Sequence, residues 1–272
     1  MIYSRNKSSQ NALNARAAIP RFSITVRTPQ TLHIEPLMTT PALERGPDKR
    51  WSGYYKAGAI SIIIAGILVL ITLPLIPILI PSLAPSSVQS GLTSIQSQSL
   101  LFGMTWGIYL VSDLLYLIAF PALFFALRQA NRTVTLIAAI FNMVFVAVDV
   151  GVDIPLRLSL IDLSNSYTST NGDNQSAYLA TGQLTMDLAN ITALIATFLQ
   201  FSAIILASYA MLKSQTFKKS VGYTGIGSGV LGLLFVPTFA VGSMLSGLFN
   251  IGGFIFLVIW SLLVGLKLYK LS

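Results

Sequence analysis

Six apolar stretches, divided by short polar or basic segments, set the plan of this chain. Lys56 is followed by an unbroken run of apolar or small residues from Ala57 to Ile80. A membrane-spanning helix needs roughly 20 such residues. Pro74, Pro77 and Pro81 crowd the far end of the run, where each removes a backbone donor. A Ser/Gln-rich segment without charge then leads to Ser99. Counting the first, the pattern predicts spans over about 57–80, 100–127, 134–154, 183–212, 221–244 and 250–269. Arg128 and Arg132 bound the turn between the second and third, and Pro155 closes the third. Polar residues 164–176 read as the longest loop, within an outer connection over 156–180. Residues 221–266 hold no charge and suit two helices with a turn near Ser243–Asn250. Residues 1–52 keep no period and read as a disordered, basic cytoplasmic tail. Met38 is a candidate true start, with residues 1–37 an over-long reading of the gene.

Composition fixes the solvent. Hydrophobic residues make up 54% of the chain, charged residues 10%, and mean hydropathy is +0.73. A soluble domain carries about 25% charge. This chain therefore needs lipid, and the expected architecture is an all-α, six-helix transmembrane bundle in the cell membrane. Cysteine is absent and the only histidine, His33, lies in the tail. Thiolate metal sites, disulfides and bis-histidine haem are excluded, no cofactor is evident, and the sequence leaves a metal undetermined. No HExxH, GxSxG or P-loop pattern occurs, so catalysis is the weakest reading.

The net charge of +8 reflects membrane orientation rather than nucleic-acid binding. With six spans and both termini cytoplasmic, 16 of the 17 Lys/Arg residues fall inside and only Arg157 outside. That distribution follows the positive-inside rule. An odd number of spans would put Lys267 and Lys270 outside.

Four aspartates interrupt or flank the spans: Asp113, Asp149, Asp153 and Asp187. Measured from Arg128 and Arg132 at 1.5 Å per residue, Asp113 lies about 22 Å up its helix and Asp149 about 26 Å. All four belong to the outer half or rim. Spacing places Asn142, Asp149, Asp153 and Arg157 on one face of the third helix, although Pro155 is expected to spoil an Asp153–Arg157 pair. Tyr109, Asp113 and Tyr116 share a face of the second helix, and Gln183, Asp187, Asn190 and Thr197 a face of the fourth. Charge facing lipid costs several kcal/mol. These stripes are expected to turn inward and form an outward-facing polar pocket between helices 2, 3 and 4. Buried carboxylates there suit a cation or proton site, and the same residues equally suit polar glue between helices. Asp187 alone reads as an interfacial helix start.

The fifth helix is glycine-dense, with Gly225, Gly229 and Gly232 suited to close packing. GxxxG serves either intramolecular packing or a partner-helix or oligomer seam. Asn174-Gln-Ser is a glycosylation sequon on the expected outer loop.

The phrases YLVSDLLYLIAFPALFFAL (109–127), ANRTVTLIAA (130–139) and KKSVGYTGIGSGVLGLL (218–234), with Lys56-Ala-Gly opening the first span, carry a resemblance. They are similar to a family of small bacterial and archaeal membrane proteins known only as a domain of unknown function. The resemblance covers roughly 53–270 and implies a six-helix integral membrane protein without an assigned activity. The long tail and the Asp149/Asp153 pair depart from it. The function expected is a multi-pass membrane protein, with a small-solute or cation/proton-linked transporter as the first reading. The alternative is a non-catalytic scaffold or sensor subunit. The expected partners are the lipid bilayer and a small cation or solute, with no nucleic acid.

Overall fold

A computed structural model describes residues 49–76, 78, 79, 86–241 and 245–272. The tail, the candidate start at Met38, Pro77, Pro81 and Ser243 lie outside them. Among the described residues the chain is all-α. After a 3-10 turn at Lys49–Trp51 come α1 (Ser52–Thr72), α2 (Val88–Ser97) and α3 (Ser99–Val148). A π-helical turn, Asp149–Asp153, joins α3 to α4 (Ile154–Ser169). Then follow α5 (Asp173–Lys213), α6 (Lys219–Ala240) and α7 (Leu245–Tyr269).

Among the described residues five helices are long and apolar enough to cross a membrane: α1, the continuous Ser99–Ser169 helix, α5, α6 and α7. The second is 71 residues long. Straight, it would reach about 106 Å, over three times a ~30 Å hydrocarbon core. It is not straight. Asn131 has φ −161° and ψ 94°, outside the helical region. Its Oδ1 accepts the Val134 N–H at 3.1 Å, which makes Asn131 the N-cap of a new limb. The limbs 99–130 and 132–148 fold back on each other, and Asn142 Nδ2 donates to the Tyr116 carbonyl at 3.3 Å.

Around this hairpin the helices close a ring. α1 packs on α3 and α7, α3 on α5, α5 on α6, and α6 on α7. Outward rows such as Ile60, Ile64, Ile67 and Ile71 on α1 are exposed. Such rows call for hydrocarbon rather than water. Inward faces use small residues, so backbones approach closely. A Cβ on Gly232 would enter the Phe201 ring, one on Gly229 would enter Ile205, and one on Gly225 would meet Ser208 and Trp260. The glycine face of α6 thus lies against the chain's own α5 and α7.

The bundle has two chemically different ends. Ser52 Oγ donates to the Ser272 carbonyl at 2.6 Å, so the start of α1 and the chain's last residue share one end. There Trp51 stacks on Phe125 at 3.8 Å, and Arg128 lies over both rings at 5.4 and 5.5 Å. Gly222 at the start of α6 faces Leu212 near the end of α5. Lys213, Lys218, Lys219, Lys267 and Lys270 therefore join the same end. At the opposite end α2, α4 and the first turns of α5 form a helical cap. Its core is Leu92, Ile95, Phe102, Leu160, Tyr167 and Met186.

The cap corrects the expected loops. Residues 156–180 are helical except for 170–172, where Gly172 takes a positive φ of 78°. The Ser/Gln-rich segment holds α2, whose Ser87 and Ser90 form a reciprocal capping box. These segments are polar outside yet keep one apolar stripe each: Val88, Leu92 and Ile95, then Leu160, Leu163 and Tyr167. That stripe is enough for helices that pack on one another beyond the apolar core. Pro155 does not end the third span; the helix passes through it, with the π-turn just before. Leu245–Asn250, expected as a turn, is helical and opens α7.

Phe201 is fully buried, so the Gly232 contact gives a direct test of the ring. Gly232→Val overpacks this site and should destabilise the detergent-solubilised protein by about 1–3 kcal/mol in a thermal-unfolding assay. Gly247→Ala, where a Cβ meets nothing within 4 Å, should be neutral or mildly stabilising. Equal tolerance of both substitutions would contradict the packing of α6 on α5.

Candidate functional site

Three of the four aspartates, Asp113, Asp149 and Asp153, lie where the α3 hairpin meets the cap. Asp113, on the first limb, is 4% exposed, and Asp153, closing the π-turn, is 2% exposed. Asp149 opens the π-turn and is half-buried. The hairpin centred on Asn131 brings residues 113 and 149, each 18 positions from it, level with each other, close enough for their charges to interact. An ionised carboxylate can only accept, so a bond between two carboxyls requires one of them to carry a proton. The pair holds one negative charge when that proton is shared.

The π-turn sets up the second half of the site. The Ile154 N–H bonds to the Asp149 carbonyl, one residue further than in an α-helix. Pro155 follows in the first turn of α4, where its missing N–H costs least. The expected disruption of the Asp153–Arg157 pair therefore does not occur. Arg157 Nε lies 3.1 Å from both oxygens of Asp153. Arg157 Nη2 donates to the Ala189 carbonyl on α5 at 3.4 Å, and its guanidinium sits 4.4 Å over the Trp106 ring. Thr192 Oγ1, 3.3 Å from Asp153 Oδ1, has its own Leu188 carbonyl at 2.9 Å as the competing acceptor. Buried charge is thus paired, hydrogen-bonded and stacked together, the condition under which an ion pair survives low dielectric.

The remaining expected residues divide. Tyr109 is close to Asp113 and Asp149 and lies near Thr72, whose hydroxyl donates to the Val69 carbonyl at 2.8 Å. Tyr116 turns away, 3.0 Å from Ser261 Oγ on α7. Asn142 is buried two turns below Asp149 and serves the hairpin through Tyr116; its Oδ1 has no partner. Asp187 is exposed, well inside α5 rather than at its start, and accepts from Gln183 Nε2 at 2.8 and 2.9 Å. Asn190 is half-buried on the same side of α5. The α5 face that meets the cluster runs instead through Ala189, Thr192 and Ala196. Asn174 is exposed in the first turn of α5.

Sequence reasoning passed over Trp106, Ala189 and Thr192. Trp106 was within reach of it, since Trp106, Tyr109 and Asp113 follow at helical spacing. Ala189 contributes a backbone carbonyl, which no side-chain pattern reveals. Among the described residues no three His, Cys, Asp or Glu side chains converge to hold a metal ion.

The site is therefore a buried carboxyl, Asp113, near Asp149 and beside the paired Asp153 and Arg157, in a bundle whose outer face is apolar. Comparison with curated proteins and with solved structures gives no match. A family described as a domain of unknown function, DUF4386, matches residues 54–265. Over that range, most of its length and all but the ends of its helical bundle, the chain belongs to the DUF4386 family.

Proposed function

We propose that this multi-pass membrane protein carries out proton-linked movement of a small solute or cation, with Asp113 and Asp149 as its proton site. The observation that carries the reading is the burial of Asp113 where the α3 hairpin brings Asp149 level with it, within a bundle of apolar helices. Two carboxyls that share a proton form a site with two charge states, which is what coupling to a proton gradient requires. The helices number six crossings when the α3 hairpin counts as two. Both termini then face the cytoplasm, because the basic end gathers Lys56, Arg128, Arg132, Lys213, Lys218, Lys219, Lys267 and Lys270. The carboxyl pair and the cap lie toward the outer surface of the cell membrane.

Orientation is tested by cysteine labelling, and the chain's lack of cysteine makes every introduced thiol unique. Gln215→Cys and Lys270→Cys should resist an impermeant reagent added outside intact cells, whereas Asn165→Cys on α4 should react. The reverse pattern would invert the topology.

The proton site is tested by stability against pH in Asp113→Asn. A proton shared by the native pair is one that separated carboxyls in the unfolded chain would release by neutral pH. The native state then binds more protons, so wild-type stability should fall as pH rises from the ordinary carboxyl range, about 4, toward neutral. Asp113→Asn keeps size and hydrogen bonding, removes the shared proton and should flatten that profile. Identical profiles in the two proteins would remove the proton site.

A further inference from the structure

Arg157 is the one described basic residue at the cap end of the bundle, and its contacts join three elements. It is buried, bonds Asp153 on the π-turn, reaches the Ala189 carbonyl on α5 and stacks on Trp106 of α3. It also stands in the first turn of α4, so its position is the position of the root of the cap. The charged and titratable groups around it are Asp149 and Asp153 from the π-turn, with Asp113 and Tyr109 behind them on α3. α5 presents the Ala189 carbonyl and Thr192, while Asp187 bonds Gln183 instead. Arg157 therefore has a bonded carboxylate, Asp153, and a second, Asp149, at the other end of the same π-turn.

We propose that Arg157 is a positioning residue that reads the charge of the Asp113–Asp149 pair and transmits it to the helical cap. The inference rests on the shared-proton reading of that pair. While the pair holds its proton, Asp153 is the stronger partner and α4 stays pinned to α5 through Ala189. Release of the proton to water at the cap end leaves both carboxyls ionised, and a second negative charge then faces the guanidinium. Arg157 divides between Asp153 and Asp149, its Nη2 leaves the Ala189 carbonyl, and the root of α4 shifts against α5. The π-turn, with Gly151 in open space at its centre, supplies a helical segment able to change register. Proton release at the pair thus becomes movement of the cap.

The test uses the full chain, spin-labelled at Asn165→Cys on α4 and Ala240→Cys on α6, both exposed. The label–label distance is measured in mildly acidic and mildly alkaline buffer, and proton uptake on acidification is followed in parallel with an indicator dye. In the labelled parent the distance should shift between the two buffers by about 2 Å, the scale of helix shifts in switching proteins. Asp113→Asn should lose both the shift and the uptake. Arg157→Met should lose the shift and keep the uptake. Asp153→Asn, which removes the near partner, should hold the alkaline distance in both buffers and carries the test if Arg157→Met does not fold. A shift that persists in Arg157→Met, or an Asp153→Asn protein that behaves as the parent, overturns the role of Arg157. Uptake without any shift in the parent overturns the coupling and leaves the proton site standing. Neither uptake nor shift overturns both.

Discussion

A carboxyl group in an apolar bundle has three ways to avoid an unpaired charge: a shared proton, a cation, or water. The aspartate end of this protein depends on the first two at once. Asp113 is buried near Asp149, with which the proposed reading has it share a proton, and Asp153 meets Arg157 with both oxygens. Most of the local architecture follows from bringing these groups together. The cap of Asn131 turns α3 back so that residue 149 returns to the level of residue 113. The π-turn sets Asp149 and Asp153 at its two ends, and the passage through Pro155 brings Arg157 back onto Asp153. If the hairpin turn moved by one residue, Asp149 would rotate by about 100° away from its partner.

The cap gives the cluster its second side. Without α5 the Asp153–Arg157 pair would lose that enclosure, and a solvent-exposed pair contributes only about 0–1 kcal/mol. Enclosed by Trp106, Ala189 and Thr192, it becomes a fixed part of the interior, and removing either partner alone would leave a buried charge. The opposite end solves a different problem. Trp51, Phe125 and Arg128 stack beside the Ser52–Ser272 bond and tie the two chain ends of the helical domain at one basic surface.

What could be read in the sequence was whatever hydrocarbon dictates. Apolar runs and their basic borders follow from the exclusion of charge from lipid. The cap was not legible because its helices leave the apolar core. There the composition turns to Ser, Thr, Asn and Gln, and only Leu92, Ile95, Leu160 and Tyr167 mark the buried stripe. The same change of solvent explains the misjudged face of α5. Gln183 and Asp187 lie where a polar face can stay wet, so polarity there says nothing about the interior. The buried face uses small residues and a backbone carbonyl. The Asp153–Arg157 pair was hidden by Pro155, whose disruption the preceding π-turn absorbs.

On the proposed reading, one proton resides between Asp113 and Asp149 at neutral pH. Infrared spectroscopy of the protein in lipid reads it directly, because a protonated carboxyl has a C=O stretch distinct from that of a carboxylate. The account predicts a protonated-carboxyl band in the wild-type protein at neutral pH that disappears when both residues are replaced by asparagine. A neutral-pH wild-type spectrum showing carboxylates alone would contradict it.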